Sequence, residues 1–258
     1  MKISKFLFFN LFLINSILFG SSIINPSSPI LINEGILIPD TKIFDLRFGA
    51  EYLNTFDFVM KFPQKYKSFN FCHPRIKSNS ISAILEYTFK ERASIYTKLG
   101  QQNISSNFFI NNNYYKISGK PNFYYLIGSK ISLIEFSDFS FGVDGKYYYF
   151  KSNIEKTQQN DFVISSNNSY QKYYGYQIAV SIADKISIFC PYLGLVFSDK
   201  RYKLKKTSFY SSRIRLRPKK KVGFFLGTSI TNGSFFMLNL EGHFINEKAF
   251  SISAISRI

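Results

Sequence analysis

"FDLRFGAEYLNTFDFVMKF", Phe44 to Phe62, puts Phe44, Leu46, Phe48, Ala50, Tyr52, Phe56, Phe58, Met60 and Phe62 on one parity. Asp45, Arg47, Gly49, Glu51, Asp57 and Lys61 fall on the other. A two-residue period marks a strand with one apolar face. Here it holds over about three times the five or six residues usual for a strand. A two-residue hairpin at Leu53-Asn54 would pair Tyr52 with Thr55 and send Thr55, Asp57, Val59 and Lys61 to the apolar side, because one residue of slip flips every side chain. One uninterrupted strand keeps the pattern. A tilted strand that crosses a bilayer and continues beyond it needs that length.

Upstream, "MKISKFLFFNLFLINSILFGSS" has the form of a secretory leader: Lys2 and Lys5 at the start, an apolar run from Phe6 to Phe19, then Gly20, Ser21 and Ser22 for cleavage. Asn10 and Asn15 interrupt the run, which is shorter than the roughly 20 residues of a spanning helix. Later segments have no continuous apolar run of that length. The expectation is therefore a leader over 1–22 and one barrel domain over 23–258, with a periplasmic segment at 23–42 and strands from about residue 43. A closed barrel is the other structure that satisfies every backbone hydrogen bond in lipid. Thirty Phe and 18 Tyr without Trp, and a mean hydropathy of -0.06, suit a wall with one lipid face and one wet face; biased codon usage would produce part of the same composition.

Downstream the alternation returns in pairs. Ile81, Ala83, Leu85, Tyr87 and Phe89 turn at Lys90-Glu91-Arg92 into Ala93, Ile95, Thr97 and Leu99. Phe123, Tyr125, Ile127, Ile131 and Leu133 turn near Glu135 to Asp138 into Phe139, Phe141, Val143, Tyr147 and Tyr149. Tyr174, Tyr176, Ile178, Val180 and Ile182 turn at Asp184-Lys185 into Leu193, Leu195 and Phe197. Val222, Phe224, Leu226 and Ile230 turn at "TNGS" into Phe236, Leu238, Leu240 and Phe244; Phe250, Ile252, Ala254 and Ile258 close the series. The other connections, Pro63 to Ser80, Gln102 to Asn122, Ser152 to Gln171 and Asp199 to Ser212, are polar and read as long loops. Short turns on one rim and long loops on the other predict an all-β, antiparallel, up-and-down transmembrane barrel of ten strands, with twelve also allowed.

"NPSSPILINEGIL" (Asn25 to Leu37) followed by "FDLRFG" resembles the mature start of the chlamydial major outer membrane porin family. "ERASIYTKLG", "LIGSKISLIE", "GYQIAVSIADKISIFCPYLGLVFS" and "FINEKAFSISAISRI" resemble further segments of that family, in the same order. The resemblance implies an outer-membrane porin that passes small hydrophilic solutes, with a structural role in the envelope. Family members are longer, cysteine-rich, not strongly basic, and end on an aromatic residue. This chain has two cysteines and a net charge of +17, and it ends on Ile258, so the disulfide-linked envelope role is not carried over. Cys72 and Cys190 fit no metal or redox spacing and are expected unpaired.

The sharpest local feature is "RIRLRPKKKVGFFLG". Between Asp199 and Lys221 basic residues far outnumber the single acid, Asp199. If Val222, Phe224 and Leu226 face lipid, unbroken alternation sends Arg213, Arg215, Arg217, Lys219 and Lys221 to the lumen, a cationic ladder that would favour anions. The competing reading places the run above the membrane, in solvent or against lipopolysaccharide phosphates. Arg47, Lys61, Lys130 and Lys146 complete the expected pore-lining cations, beside Asp45, Glu51, Asp57, Lys98, Asp144, Asn239, Glu241 and His243.

Basic residues interleaved with aromatics also fit nucleic acid, which export argues against. His73 and His243 carry no metal or nucleophile spacing, and Ser251 or Ser253 beside His243 reads more simply as lumen wall. No enzymatic activity, metal or cofactor is expected. The partners expected are outer-membrane lipid and lipopolysaccharide, small solutes with anions favoured, and further copies of the chain. Two functions stay open: an anion-favouring diffusion porin, or a structural or adhesive barrel with a closed lumen. Side chains can fill an eight-stranded barrel, while open channels are typical at 16 to 18 strands.

Overall fold

The structure is a computed structural model describing residues 44–62, 74–89, 92–110, 113–136, 138–164, 169–205, 213–232 and 235–257. The expected leader, the 23–42 segment, Cys72 and His73 lie outside the described residues. The strands are β1 (Phe44–Lys61), β2 (Arg75–Phe89), β3 (Ala93–Ile110), β4 (Asn113–Gly119), β5 (Asn122–Phe136), β6 (Phe139–Gln159), β7 (Phe162–Ile164), β8 (Tyr170–Asp184), β9 (Phe189–Lys205), β10 (Ile214–Pro218), β11 (Val222–Asn232), β12 (Phe236–Phe244) and β13 (Glu247–Arg257).

All pairings are antiparallel, and the base closes on itself. Its ring runs β1, β2, β3, β5, β6, β8, β9, β11, β12, β13 and back to β1, through ladders such as Ala50↔Ala83 and Ala50↔Ala254. This is the ten-strand transmembrane-type barrel that the alternation predicts. The expected outward rows, from Ile81–Phe89 on β2 to Phe250–Ala254 on β13, do lie on the outer face, while their neighbours are buried inside.

Above the base the ring changes. The described parts of three of the four expected long loops are largely strand: β3 continues to Ile110 and returns as β4, β6 runs 21 residues to Gln159, and β9 reaches Lys205. At about 3.3 Å per residue β6 extends roughly 70 Å, far beyond an apolar band about 25 Å tall. A tight turn at Asn160 (φ 46°) and Asp161 (φ 70°) ends it, and β7 folds back on its tip. Asn and Asp tolerate the left-handed region that such hairpins require. β4 and β5 are one descending run broken at Lys120-Pro121, and β10 and β11 are one run broken at 219–221.

The β12–β13 hairpin, in contrast, ends low, at Phe244–Glu247. Above its tip β10 bonds directly to β1 (Met60↔Pro218, Lys61↔Arg217) and to β9 (Arg215↔Lys203). The upper ring is therefore β1, β2, β3, β4, β6, β8, β9, β10, an eight-stranded crown on a ten-stranded base. Gly223 makes room for the hairpin tip. A Cβ there would overlap the Asn246 amide and press on the Phe244 carbonyl oxygen at 3.0 Å. Gly223→Ala should therefore cost about 1–3 kcal/mol, as overpacking does, read as a lowered unfolding midpoint in detergent micelles.

Two breaks in phase change which of the expected site residues face in. In β1 both flanking ladders slip between Thr55 and Phe58, so the apparent nineteen-residue alternation is two runs of opposite phase. Phe58 and Met60 are buried inside, not lipid-facing, and Lys61 is exposed outside. The break at 219–221 does the same between β10 and β11. Ile214, Leu216 and Pro218 point in, whereas Arg213, Arg215 and Arg217 are exposed.

Candidate functional site

Polarity inverts along the barrel axis. In the base the outer wall is apolar, with Ile81, Ile95, Ile127, Ile178 and Leu195 exposed, and the interior is charged. In the crown the outer wall carries Lys77, Lys116, Lys151 and Arg215, while the interior is apolar. Water supports the crown's arrangement, and lipid supports the base's.

The charged base interior is internally compensated. Arg47 donates through Nε to Asp45 at 2.8 Å and lies 3.9 Å from Glu86. Lys130 reaches Glu86 at 2.9 Å, Arg257 reaches Asp45 at 2.8 Å, and Lys98 pairs with Glu51. Lys200 donates to both oxygens of Glu247 at 2.8 and 2.7 Å. Tyr96 donates to Asp144 at 2.7 Å, and Lys146 follows Asp144 on the same inner row. Tyr192 donates to Glu241 at 2.9 Å, and His243 Nε2 shares the other Glu241 oxygen at 2.7 Å. Buried charges persist only with such partners.

Over this layer sits a plug of Phe58, Met60, Ile76, Ile104, Phe108, Ile117, Phe150, Tyr202, Leu204, Ile214 and Leu216. The Phe58 ring meets Tyr173 edge-on at 6.2 Å, and Tyr173 meets Tyr148 at 5.1 Å. Most polar groups inside the plug are matched, Thr157 Oγ1 being an exception. Tyr202 donates to Gln171 at 2.6 Å, and Gln171 donates to Ser152 at 3.0 Å and to the Ile104 carbonyl at 3.1 Å. Burial pushes the Tyr202 phenol well up, so it stays a donor. At the junction of the two layers a cavity of about 30 Å³, lined by Glu51, Lys98, Gln102, Tyr148, Lys200 and Glu247, has room for about two waters.

The expected pore-lining cations thus divide. Arg47, Lys130 and Lys146 are inside and set among carboxylates. Lys61, Arg213, Arg215, Arg217, Lys219 and Lys221 are on the outer surface, so the cationic ladder does not climb the lumen. Asp57, also expected inside, lies 3.9 Å from exposed Arg75. His243 is buried against the Phe225 ring at 5.4 Å, and Ser253 accepts from Asn239 at 3.2 Å. Glu86, Lys200 and Glu247 were not singled out from sequence. All three could have been, since Glu86 lies on the parity opposite Tyr87, Lys200 on the parity opposite Phe197 and Glu247 on the parity opposite Phe250. Among the described residues no His, Cys, Asp and Glu group is placed to hold a metal ion, and no helix is long and apolar enough to cross a membrane.

No family model matches the chain, and no curated protein matches it. Solved structures similar to it are barrels. The outer membrane protease OmpT from Escherichia coli is 9% identical, with 83% of this chain and 94% of that one covered and a TM-score of 0.40. The translocator domain of the autotransporter NalP from Neisseria meningitidis is 9% identical, covering 83% and 88%, with a TM-score of 0.40. The Ralstonia pickettii toluene transporter TbuX is 8% identical, covering 90% and 91%, with a TM-score of 0.35. Their activities differ, and the likeness assigns none of them to this chain.

Proposed function

We propose that this protein is a structural or adhesive barrel of the outer membrane with a closed interior, its base in lipid and its crown displayed above. One observation carries this reading: among the described residues the interior is occupied by compensated charges below and by the apolar plug above, and the cavity at their junction has room for about two waters. An aqueous diffusion path would leave a continuous row of wall residues wet. Anion preference loses its carrier too, since the inner cations face carboxylates and the arginine run is outside. Kinship with the chlamydial major outer membrane porins rests on the five ordered segments, and contact with lipid and lipopolysaccharide on the basic outer wall.

The diffusion porin remains the second reading, favoured by the charged base interior, which would need the plug to move. Planar bilayers separate the two. Full-length protein inserted in a bilayer, with insertion verified by protease protection of the base, should leave membrane current at baseline. Discrete conductance steps would overturn the closed barrel and restore the porin; a reversal potential toward the anion's equilibrium value would restore its selectivity.

A further inference from the structure

Where the apolar band of the base gives way to the crown, the outer wall carries a horizontal row of cations on four adjacent strands. Lys151 on β6 stands opposite Lys172 on β8, Lys172 opposite Lys203 on β9, and Lys203 opposite Arg215 on β10. At about 4.8 Å between strands the row is roughly 14 Å wide. Like charges directly opposite on a sheet are destabilising, and here three such pairs are consecutive. None of the four has an ion pair among the described residues. The nearest outward carboxylates on these strands, Asp199 and Glu155, are each four residues along the strand, roughly 13 Å away. Asp199 is already engaged by Lys221 at 3.3 Å and Arg201 at 3.7 Å.

The row is also held in place. Lys172 lies over the Tyr149 and Tyr174 rings at 4.4 and 5.0 Å, Lys203 over Tyr174 at 4.6 Å, and Lys151 over Tyr170 at 4.9 Å. These contacts fix the ammonium groups without neutralising them. One step below, Tyr149 stands opposite Tyr174, then Tyr147 opposite Tyr176. Tyrosines at that level form the aromatic girdle that marks the lipid–water boundary of a spanning barrel. The cations therefore sit at headgroup depth.

We propose that this row is a binding site for the phosphate groups of lipid headgroups in the outer leaflet. The inference rests on the base lying in lipid. Phosphate oxygens would bridge neighbouring strands, accepting charge-assisted hydrogen bonds from the lysines and a bidentate one from Arg215. Binding would turn three repulsive pairs into a clamp across β6, β8, β9 and β10. An acidic protein partner would meet the same charges, but the row's place directly on the tyrosine girdle favours the lipid.

The test uses full-length protein, Lys172→Gln/Lys203→Gln/Arg215→Gln, and a control with Lys116→Gln/Lys120→Gln/Lys156→Gln on the crown wall. In detergent without lipid the row variant should be at least as heat-stable as the parent, because repulsion is relieved. Adding bisphosphorylated lipid A should raise the melting point of parent and control, but not of the row variant, whose apparent affinity should fall at least tenfold. The melting-point gain should shrink as salt rises, as screening requires. Equal binding by fully dephosphorylated lipid A, equal stabilisation by inorganic phosphate alone, or equal affinity for polyglutamate would each overturn the lipid site. Failure of the parent to insert into vesicles would instead overturn the membrane reading beneath it.

Discussion

Glu86→Gln should lower the unfolding free energy of the barrel by about 3–5 kcal/mol, the usual result of stripping one partner from a buried ion pair. Glu86 is fully buried on β2 and faces two cations, Lys130 at 2.9 Å and Arg47 at 3.9 Å. The amide that replaces it keeps the volume and removes the charge, so steric effects are small and electrostatics decide the outcome. Among the described residues Lys130 has no other carboxylate in an ion pair, whereas Arg47 keeps Asp45 at 2.8 Å. Adding Lys130→Met to Glu86→Gln should therefore recover part of the loss. Arg75→Gln supplies the contrast. Its 3.9 Å contact with Asp57 is at the exposed surface, where such pairs contribute about 0–1 kcal/mol. Urea unfolding in detergent micelles, followed by tyrosine fluorescence, reads all of these. If Glu86→Gln and Arg75→Gln lose equally little, the closed charge network of the base does not exist as described.

The base was legible in the sequence because lipid on one side and a polar interior on the other enforce a clean two-residue period. The rows through Tyr87, Ile127, Val143, Ile178, Leu195, Leu226 and Leu238 could be assigned to the outer face, and Arg47, Lys130 and Lys146 to the inner one, from parity alone. The crown was not legible. Its strands put Ile104, Ser106 and Phe108 inside and Asn103, Ser105 and Asn107 outside, a weak contrast that a polar loop would also show. The parity reversals in β1 and at 219–221 were equally hidden. Alternation within one strand carries no sign of a shift when both faces hold aromatics, as with Phe56 and Phe58, or when proline and lysines fill the break, as at Pro218 to Lys221. Only the partner strand fixes the phase. Extrapolating backward from Val222 therefore sent five cations to the wrong side of the wall, and with them the expected selectivity.

The reversal in β1 can be tested by a pair of truncations two residues apart. Phe58→Ala should destabilise the protein by about 3–5 kcal/mol, the range for a phenylalanine removed from a packed core. Phe56→Ala should cost well under half of that. Phe58 is 0% exposed and Phe56 is 38% exposed; the first fills the floor of the plug against Tyr173, with the Lys200 ammonium over its ring at 5.6 Å from the centre. Unbroken alternation would put both rings in the same lipid-facing row, so the two truncations would behave alike. Phe58→Leu, which keeps most of the volume, should restore much of the stability, as volume-conserving core changes do. The truncation also bears on the closed interior, because it removes a ring from the layer that caps the Lys200–Glu247 pair. Single-channel current through Phe58→Ala that is absent from the parent would mean that the plug, and not the charged base below it, is the seal. Equal stability of the Phe56 and Phe58 truncations would mean that β1 keeps one phase throughout and that the plug loses its floor.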